Sequence, residues 1–282
     1  MTRQETCKNT HGYTSYSALK TFSVCPNLYK EMYLTKEYVE PHHDYFDYGH
    51  IVDSLTTSLL GAVDINWEVV KRRDKKSKKL QVTEAFFKNC SDTAEAITSN
   101  PFYKTLSITP NTVQQCILSS KHKRKGIIDI INFSDGLEIK WGLYQGGLIS
   151  KAELQKQMRG GTITIIDIKT TADIKRMPFD SWANQLAFYR LIIRELTGLN
   201  AECYIIAGGK TGDRKSAQDI YFKKETLDFA EGKILMAEKL FWNAINTDIF
   251  LSAKEIYQQT QQCHKCSICS VRPLSIDQPL II

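Results

Sequence analysis

Two isoleucine-rich runs that each enclose an acidic residue constrain the fold of this chain more than any other feature. The first covers residues 125–131 and encloses Asp129, and the second covers residues 162–171 and encloses Asp167. Runs of this length and composition predict buried strands. Because an unpaired buried carboxylate is costly, buried acids are usually paired or bound to a metal. The two runs therefore predict neighbouring strands that bring two carboxylates to one polar site.

Lys169 follows Asp167 by two positions, so the two side chains point to the same face of the second strand. Two carboxylates and an ammonium group at neighbouring strand ends form a site for a divalent cation, a water and a phosphate. The alternative is an Asp167–Lys169 ion pair on an exposed edge strand, with Asp129 at a strand terminus. Because the Asp-x-Lys tripeptide is common, it leaves both interpretations open.

A predicted helix follows the second strand. Asp180 and Ser181 supply an N-cap, and the stretch 182–197 is amphipathic and is closed by a glycine. Within this stretch Gln185 and Tyr189 are four residues apart and share one helical face. They are either part of the polar site or ordinary residues at the margin of the core.

Two further motifs precede the strands. One is Gly49-His50 followed by Leu55, and the other is the helix-like stretch 15–29, which contains Cys25 before a proline. His50 would cap its helix if it had no partners, whereas an acidic site downstream would give it a ligand role.

In their order along the chain, these five patterns resemble the motifs of the RecB-like branch of the PD-(D/E)xK nuclease superfamily, over about residues 13–275. The stretch 167–173, D-I-K-T-T-A-D, looks most like phage-type exonuclease VIII relatives. The resemblance implies an α/β fold with a restriction-endonuclease-like core, in which helices flank a mixed central sheet. It implies one nuclease domain over 1–282, with a helical part (1–111), a catalytic core (112–245) and a cysteine-containing segment (246–282).

The resemblance also assigns roles to the site residues. The implied ligands of Mg²⁺ or Mn²⁺ are His50, Asp129, Asp167 and the carbonyl group of Ile168. Lys169 would position or deprotonate the attacking water, and Gln185 and Tyr189 would orient a phosphate or a base.

The cysteines near the C-terminus form a C-x-x-C-x-x-C run of Cys263, Cys266 and Cys269. In many RecB-like nucleases one early and three late cysteines hold a [4Fe–4S] cluster, and Cys25 would be the early one here. The usual spacing places the last cysteine where this chain has Ser275. An iron–sulfur cluster, a zinc site and no metal therefore all stay open.

Charge and composition narrow the possible partners. The net charge is +6, and basic residues cluster in 71–79 and in 121–125, directly before the Asp129 strand. Such clusters suit a polyanionic substrate, although a solvated loop would also explain the first.

No membrane span or secretory signal is predicted, and the eight cysteines favour a reducing, cytoplasmic compartment.

These observations predict a metal-dependent deoxyribonuclease, most simply an exonuclease that acts on single- or double-stranded DNA ends in recombination, repair or phage DNA processing. A homo-oligomer or a recombination partner protein is compatible with this function. One alternative is a CRISPR adaptation-type single-strand nuclease with an iron–sulfur cluster. An alternative of another class is a catalytically inactive DNA-binding module.

Hydrophobic periodicity in the rest of the sequence predicts further strands and helices around these motifs. Strands are expected at 113–118, 126–133, 201–207 and 220–223, and a long helix at 225–245. The glycine-rich insertion between the two acidic strands is expected to be a hairpin-like excursion.

Overall fold

The computed structural model of the chain describes residues 12–38, 44–58, 84–106, 111–134, 136–172, 177–209 and 216–250, together with Thr109. Its helices are α1 (Tyr16–Val24), α2 (Pro26–Tyr29), α3 (Asp44–Ser58), α4 (Glu84–Ser99), α5 (Pro101–Lys104), α6 (Leu137–Gln145), α7 (Lys151–Gln157), α8 (Phe179–Thr197) and α9 (Lys224–Thr247), with a π-helical segment at Lys30–Thr35. Its strands are β1 (Val113–Ser119), β2 (Arg124–Phe133), β3 (Ile163–Thr171), β4 (Glu202–Gly209) and β5 (Ala217–Phe222).

The five strands form one mixed sheet in the order β1-β2-β3-β4-β5. All neighbouring strands are antiparallel except β3 and β4, which are parallel. The chain passes from β3 to β4 through α8, as a parallel pair requires a crossover connection. The predicted α/β class and mixed sheet are confirmed.

Helices cover both faces of the sheet, which explains why its central strands are so rich in isoleucine. On β3, Ile163 and Ile165 belong to a core cluster with residues of α8 and α9. Ile166 and Ile168 belong to a second cluster with residues of α3 and α4. A strand that is buried on both faces has no solvent side, so its sequence loses the polar alternation of a surface strand. An acid within such a strand is correspondingly unusual.

The insertion between β2 and β3 is helical, so the expected hairpin was wrong. It contains α6 and α7, which bury Trp141 and Leu154 against the sheet. The glycines that suggested turns instead mark helix ends: Gly136 precedes α6 with a φ of 74°, and Gly160 follows α7 with a φ of 80°. Left-handed backbone at a helix end favours glycine as much as a hairpin turn does.

Helix α8 begins earlier than its sequence pattern predicted. It starts at Phe179 after Pro178, so Ser181 lies inside the first turn and not at the N-cap. The Ser181 carbonyl accepts a hydrogen bond of 2.9 Å from the Tyr16 hydroxyl, which ties α1 to the start of α8. The predicted end of the helix is confirmed, since Gly198 follows it with a φ of 80°.

Helix α9 is fastened to the sheet through a buried ion pair. Arg124, at the start of β2, donates hydrogen bonds of 2.6 and 2.7 Å to the two carboxylate oxygens of Glu238. Both side chains are almost completely buried. Arg124 therefore does not belong to the exposed basic surface that the run 121–125 suggested.

Within the described part of the chain, no helix is long and apolar enough to cross a membrane.

Candidate active site

The separation of β2 from β3 creates the space in which the first acid lies. The paired register between these strands runs from Phe133 opposite Ile163 to Ile130 opposite Ile166. One residue further along β2, the side chain of Asp129 bonds across the gap, because its Oδ2 accepts a hydrogen bond of 2.8 Å from the Ile168 N–H. The carboxylate thus takes the position that a strand carbonyl would occupy in a continuous ladder.

A local distortion of β1 supports this arrangement. Gln114 has a φ of 46°, a left-handed conformation that is uncommon outside glycine. Its side-chain amide donates a hydrogen bond of 3.1 Å to Oδ1 of Asp129. Val113 packs with the cluster on the α3 and α4 side, whereas Ile117 packs on the α8 side, so β1 changes face around Gln114. Asp129 is therefore held from both sides, by Gln114 of β1 and by Ile168 of β3.

Asp167 and Lys169 lie on the same side of β3, as their spacing predicted. Asp167 is only 2% exposed, and its Oδ2 lies 2.5 Å from Nζ of Lys169. Its Oδ1 accepts a hydrogen bond of 3.0 Å from the Gln185 amide of α8. Oδ2 is buried, and its partner is the Lys169 ammonium group. The alternative of an exposed edge strand is wrong, because β3 lies at the centre of the sheet.

The site carries more negative charge than its protein surroundings neutralise. Burial raises the pKa of Asp129 to about 7, and the charge of Asp167 adds to that rise. The charge of Lys169 and the hydrogen bonds from Ile168 and Gln114 act in the opposite direction. Ionising the second carboxylate is therefore unfavourable without a further cation.

The pKa of Lys169 is also raised. Burial lowers its pKa, but the charges of Asp167 and Asp129, the ion pair and the charge of Asp53 together outweigh burial and raise it above the ordinary value. The side chain is therefore a stable ammonium group at neutral pH. Burial also raises the pKa of Asp167, and Lys169 opposes that rise.

The sequence reasoning missed a third acid. Asp53, in α3, is half-buried, and its pKa is raised well above the ordinary value, first by burial and then by the charge of Asp129. Lys169 and Asp167 also lie within its electrostatic range. Helix α3 lies against β3, since a Cβ atom added at Gly49 would be 3.8 Å from Oγ1 of Thr170. The available signal was the three-residue spacing from the His50 motif, which places Asp53 one turn further along the same helix.

His50 itself is exposed on α3. Its ligand role stays a prediction, whereas the charge of Asp53 on the same helix interacts with the acid pair.

Gln185 and Tyr189 are brought into contact with each other and with the acids. The Gln185 amide donates hydrogen bonds of 3.0 Å to Asp167 and of 3.0 Å to the Tyr189 hydroxyl. The Tyr189 ring passes so close to β2 that a Cβ atom at Gly126 would lie 2.7 Å from its Cε1. Only glycine at that position leaves the ring in place. The two residues therefore form a polar chain that leads away from Asp167.

The donor set fits a hard divalent cation with an incomplete protein shell. Among the described residues, no group of three or more His, Cys, Asp or Glu side chains could hold a metal ion. Asp129 and Asp167 would supply two carboxylates and Ile168 a carbonyl group, and Mg²⁺ commonly keeps several waters beside one or two carboxylates. The raised pKa of Asp129, which reflects its burial and the neighbouring charge of Asp167, is compatible with a cation here.

Of the four cysteines in the predicted metal cluster, the structure describes only Cys25. Cys25 is fully buried, and its Sγ accepts a hydrogen bond of 3.4 Å from the Leu28 N–H at the start of α2. Cys263, Cys266 and Cys269 lie outside the described residues. The iron–sulfur and zinc interpretations stay predictions. The basic run 71–79 also lies outside that part of the chain.

Comparisons with known proteins address the family and the fold of this chain. The family model that matches the chain is that of the PD-(D/E)XK nuclease superfamily, over residues 13–274. A solved structure of an exonuclease candidate from Eubacterium rectale superposes with a TM-score of 0.65, covering 94% of this chain and 95% of that chain. The two sequences are 15% identical, so this likeness concerns the fold. No curated protein sequence matches the chain.

Proposed function

Because this chain belongs to the PD-(D/E)XK nuclease superfamily, we propose that it is a divalent-metal-dependent DNA exonuclease of the RecB-like branch. One observation carries the proposal. Asp129, Asp167 and Lys169 meet at the point where β2 and β3 separate, with an ion-pair distance of 2.5 Å between the last two. A site of this kind suits hydrolysis of a phosphodiester bond.

In this proposal Mg²⁺ or Mn²⁺ is held by Asp129, Asp167 and the Ile168 carbonyl, and it supplies positive charge for the nonbridging phosphate oxygens. Asp53 adds a third negative charge within electrostatic range of the same position. Burial and, after it, the charge of Asp167 raise the pKa of Asp129, and a cation would offset both effects.

Lys169 acts as a charged donor in this proposal. Its raised pKa keeps the proton on Nζ at neutral pH, so the side chain positions the attacking water and offsets phosphate charge instead of removing a proton. Gln185 holds the Asp167 carboxylate in orientation through Oδ1, and the Tyr189 hydroxyl is positioned by the same amide.

The test is cleavage of 5′- and 3′-labelled single- and double-stranded oligonucleotides with Mg²⁺, with Mn²⁺ and with EDTA. Asp129→Asn and Asp167→Asn should abolish cleavage but retain DNA binding, because each removes a proposed metal ligand. Asp219→Asn is the matched control, since it removes an exposed carboxylate from β5 of the same sheet. DNA binding by the natural protein without cleavage under any metal condition would instead identify a non-catalytic DNA-binding module.

A further inference from the structure

A cleft with an aromatic lining begins next to the proposed active site. It has a volume of about 650 Å³ and lies between the N-terminal segment, α1, the start of β2 and α9. Its aromatic lining residues are Tyr13, Tyr16, Tyr29, Tyr33, Tyr189, Phe241 and Trp242. This volume suits a ligand of nucleotide size.

The cleft adjoins the proposed active site at Tyr189, and Tyr16 brings a second lining residue near it. Tyr189 lines the cleft, and its hydroxyl accepts the hydrogen bond from the Gln185 amide that also bonds Asp167. Tyr16 lines it from α1 and lies within electrostatic range of Lys169 and Asp167. A chain molecule in the cleft would therefore lead to the carboxylates.

The N-terminal segment forms one wall because it takes a position beside β2. Thr14 forms a bridge with Arg124: its N–H donates to the Lys123 carbonyl at 2.7 Å, and its own carbonyl accepts from the Lys125 N–H at 2.8 Å. This contact fixes Tyr13 and Tyr16 opposite the start of β2. The wall is therefore anchored by backbone hydrogen bonds.

The charge of the cleft complements a polyanion. Lys36 and Lys125 line it, and none of its described lining residues is an Asp or Glu. At its edge the Lys123 ammonium lies 5.5 Å from the centre of the Trp242 ring. Lysines beside aromatic rings are the combination that single-stranded nucleic acids use, with phosphates near the charges and bases on the rings.

The aromatic rings are already held in place. Tyr29 and Tyr33 are stacked with a centroid distance of 5.1 Å and an interplanar angle of 16°, and Tyr33 remains 38% exposed. Tyr29 packs edge-on against Phe241 at 5.0 Å, which fixes the stack to α9. Ordered rings lose little further conformational entropy when a base stacks on them.

We propose that this cleft binds single-stranded DNA and guides one strand end to the carboxylates, an inference that rests on the proposed function. Bases stack on Tyr33 and Trp242, and the phosphates follow Lys36, Lys123 and Lys125. A duplex keeps its bases paired inside the helix, so it cannot use these ring faces. The cleft therefore selects an unpaired strand.

The test is fluorescence anisotropy of a labelled oligothymidylate and of a duplex of equal length, in EDTA so that no cleavage occurs. Trp242→Ala and Tyr33→Ala should each weaken single-strand binding about 10-fold or more, the range found for loss of one stacking ring. Tyr33 is exposed, so its variant keeps the test valid if the change at Trp242 impairs folding. Thermal melting of both variants checks the fold.

The chain offers a matched control on the same helix. Phe229 of α9 is 69% exposed, and Lys233 lies 4.5 Å from its ring centre, yet neither residue lines the cleft. Phe229→Ala should leave binding unchanged. Lys36→Gln and Lys123→Gln should each lower the salt slope of single-strand binding by about 0.7, and Lys233→Gln should not.

Unchanged single-strand affinity in folded Trp242→Ala and Tyr33→Ala, or equal losses in Phe229→Ala, would overturn the assignment. Tighter binding of the duplex than of the single strand would also overturn it. Because the assay contains no metal, its failure is separate from that of the proposed function. If the protein cleaves DNA but the cleft variants bind single strands normally, only this inference is refuted. If the cleft binds single strands but no metal supports cleavage, only the nuclease proposal is refuted.

Discussion

Replacing Asp129 by asparagine should stabilise the metal-free protein at high pH and should not do so at low pH. In the folded state burial raises the pKa of Asp129 to about 7, whereas an exposed Asp titrates near 3.8. A group with a raised acid pKa binds a proton more tightly in the folded state. The natural protein therefore loses stability as the pH rises from the unfolded to the folded pKa, and the full loss is present above about pH 7.

The magnitude follows from the two pKa values. Each pKa unit corresponds to about 1.4 kcal/mol, so the carboxylate costs about 4 kcal/mol of unfolding free energy above pH 7. An asparagine removes that charge, but it turns an amide group toward one of the two donors, Ile168 N–H or the Gln114 amide, at a cost of about 1–3 kcal/mol. We expect a net stabilisation of about 1–3 kcal/mol near pH 8.

The assay is urea unfolding in EDTA near pH 4.5 and near pH 8. The stability difference between Asp129→Asn and the natural protein should change by about 3 kcal/mol between the two pH values, because the hydrogen-bond cost is the same at both. Glu225→Gln, which removes an exposed carboxylate from the first turn of α9, is the control. A stability difference that is the same at both pH values would show that Asp129 does not carry the charge cost inferred here.

Three further outcomes are expected. Lys169→Ala should lower the cleavage rate about 10²–10³-fold yet retain Mg²⁺ binding by calorimetry, because the ammonium is a donor and not a ligand; loss of metal binding would contradict this role. Glu238→Gln should cost about 3–5 kcal/mol in urea unfolding, because it leaves Arg124 buried without its anion, and Arg124→Met combined with Glu238→Leu should recover most of that loss. Gly126→Ala should displace the buried Tyr189 ring, lower the cleavage rate up to about 100-fold and cost about 1–3 kcal/mol of stability; an unchanged cleavage rate would show that the ring position is unimportant.

Local sequence patterns were sufficient for the elements that obey a short-range rule. The isoleucine runs around Asp129 and Asp167 predicted two buried strands, and their neighbouring positions in the sheet are confirmed. The period of two placed Lys169 beside Asp167, and the period of four placed Gln185 beside Tyr189. These relations depend only on backbone geometry, which is the same wherever the strand or helix lies in the fold.

The same patterns failed where two structures share one local signal. Glycine at positive φ is required both in tight hairpins and at helix ends, so Gly136 and Gly160 suggested turns in a segment that forms α6 and α7. The burial of Trp141 against the sheet decides between the two, and that contact spans distant parts of the chain. Likewise, Arg124 lies in a basic run, but its partner Glu238 is 114 residues away and removes it from the charged surface.

The details of the candidate site arise from packing between separate elements. Asp53 became visible only when α3 packed on β3, because its effect depends on the charges of Asp129 and Asp167 and not on its own neighbours in the sequence. The left-handed Gln114, whose side chain bonds Asp129, has no sequence signal, since glutamine carries no preference for that conformation. Sequence periodicity thus specified which residues share a face, while the meeting of faces from α3, β1, β2, β3 and α8 created the charged site, because Coulomb interactions depend on distance in space.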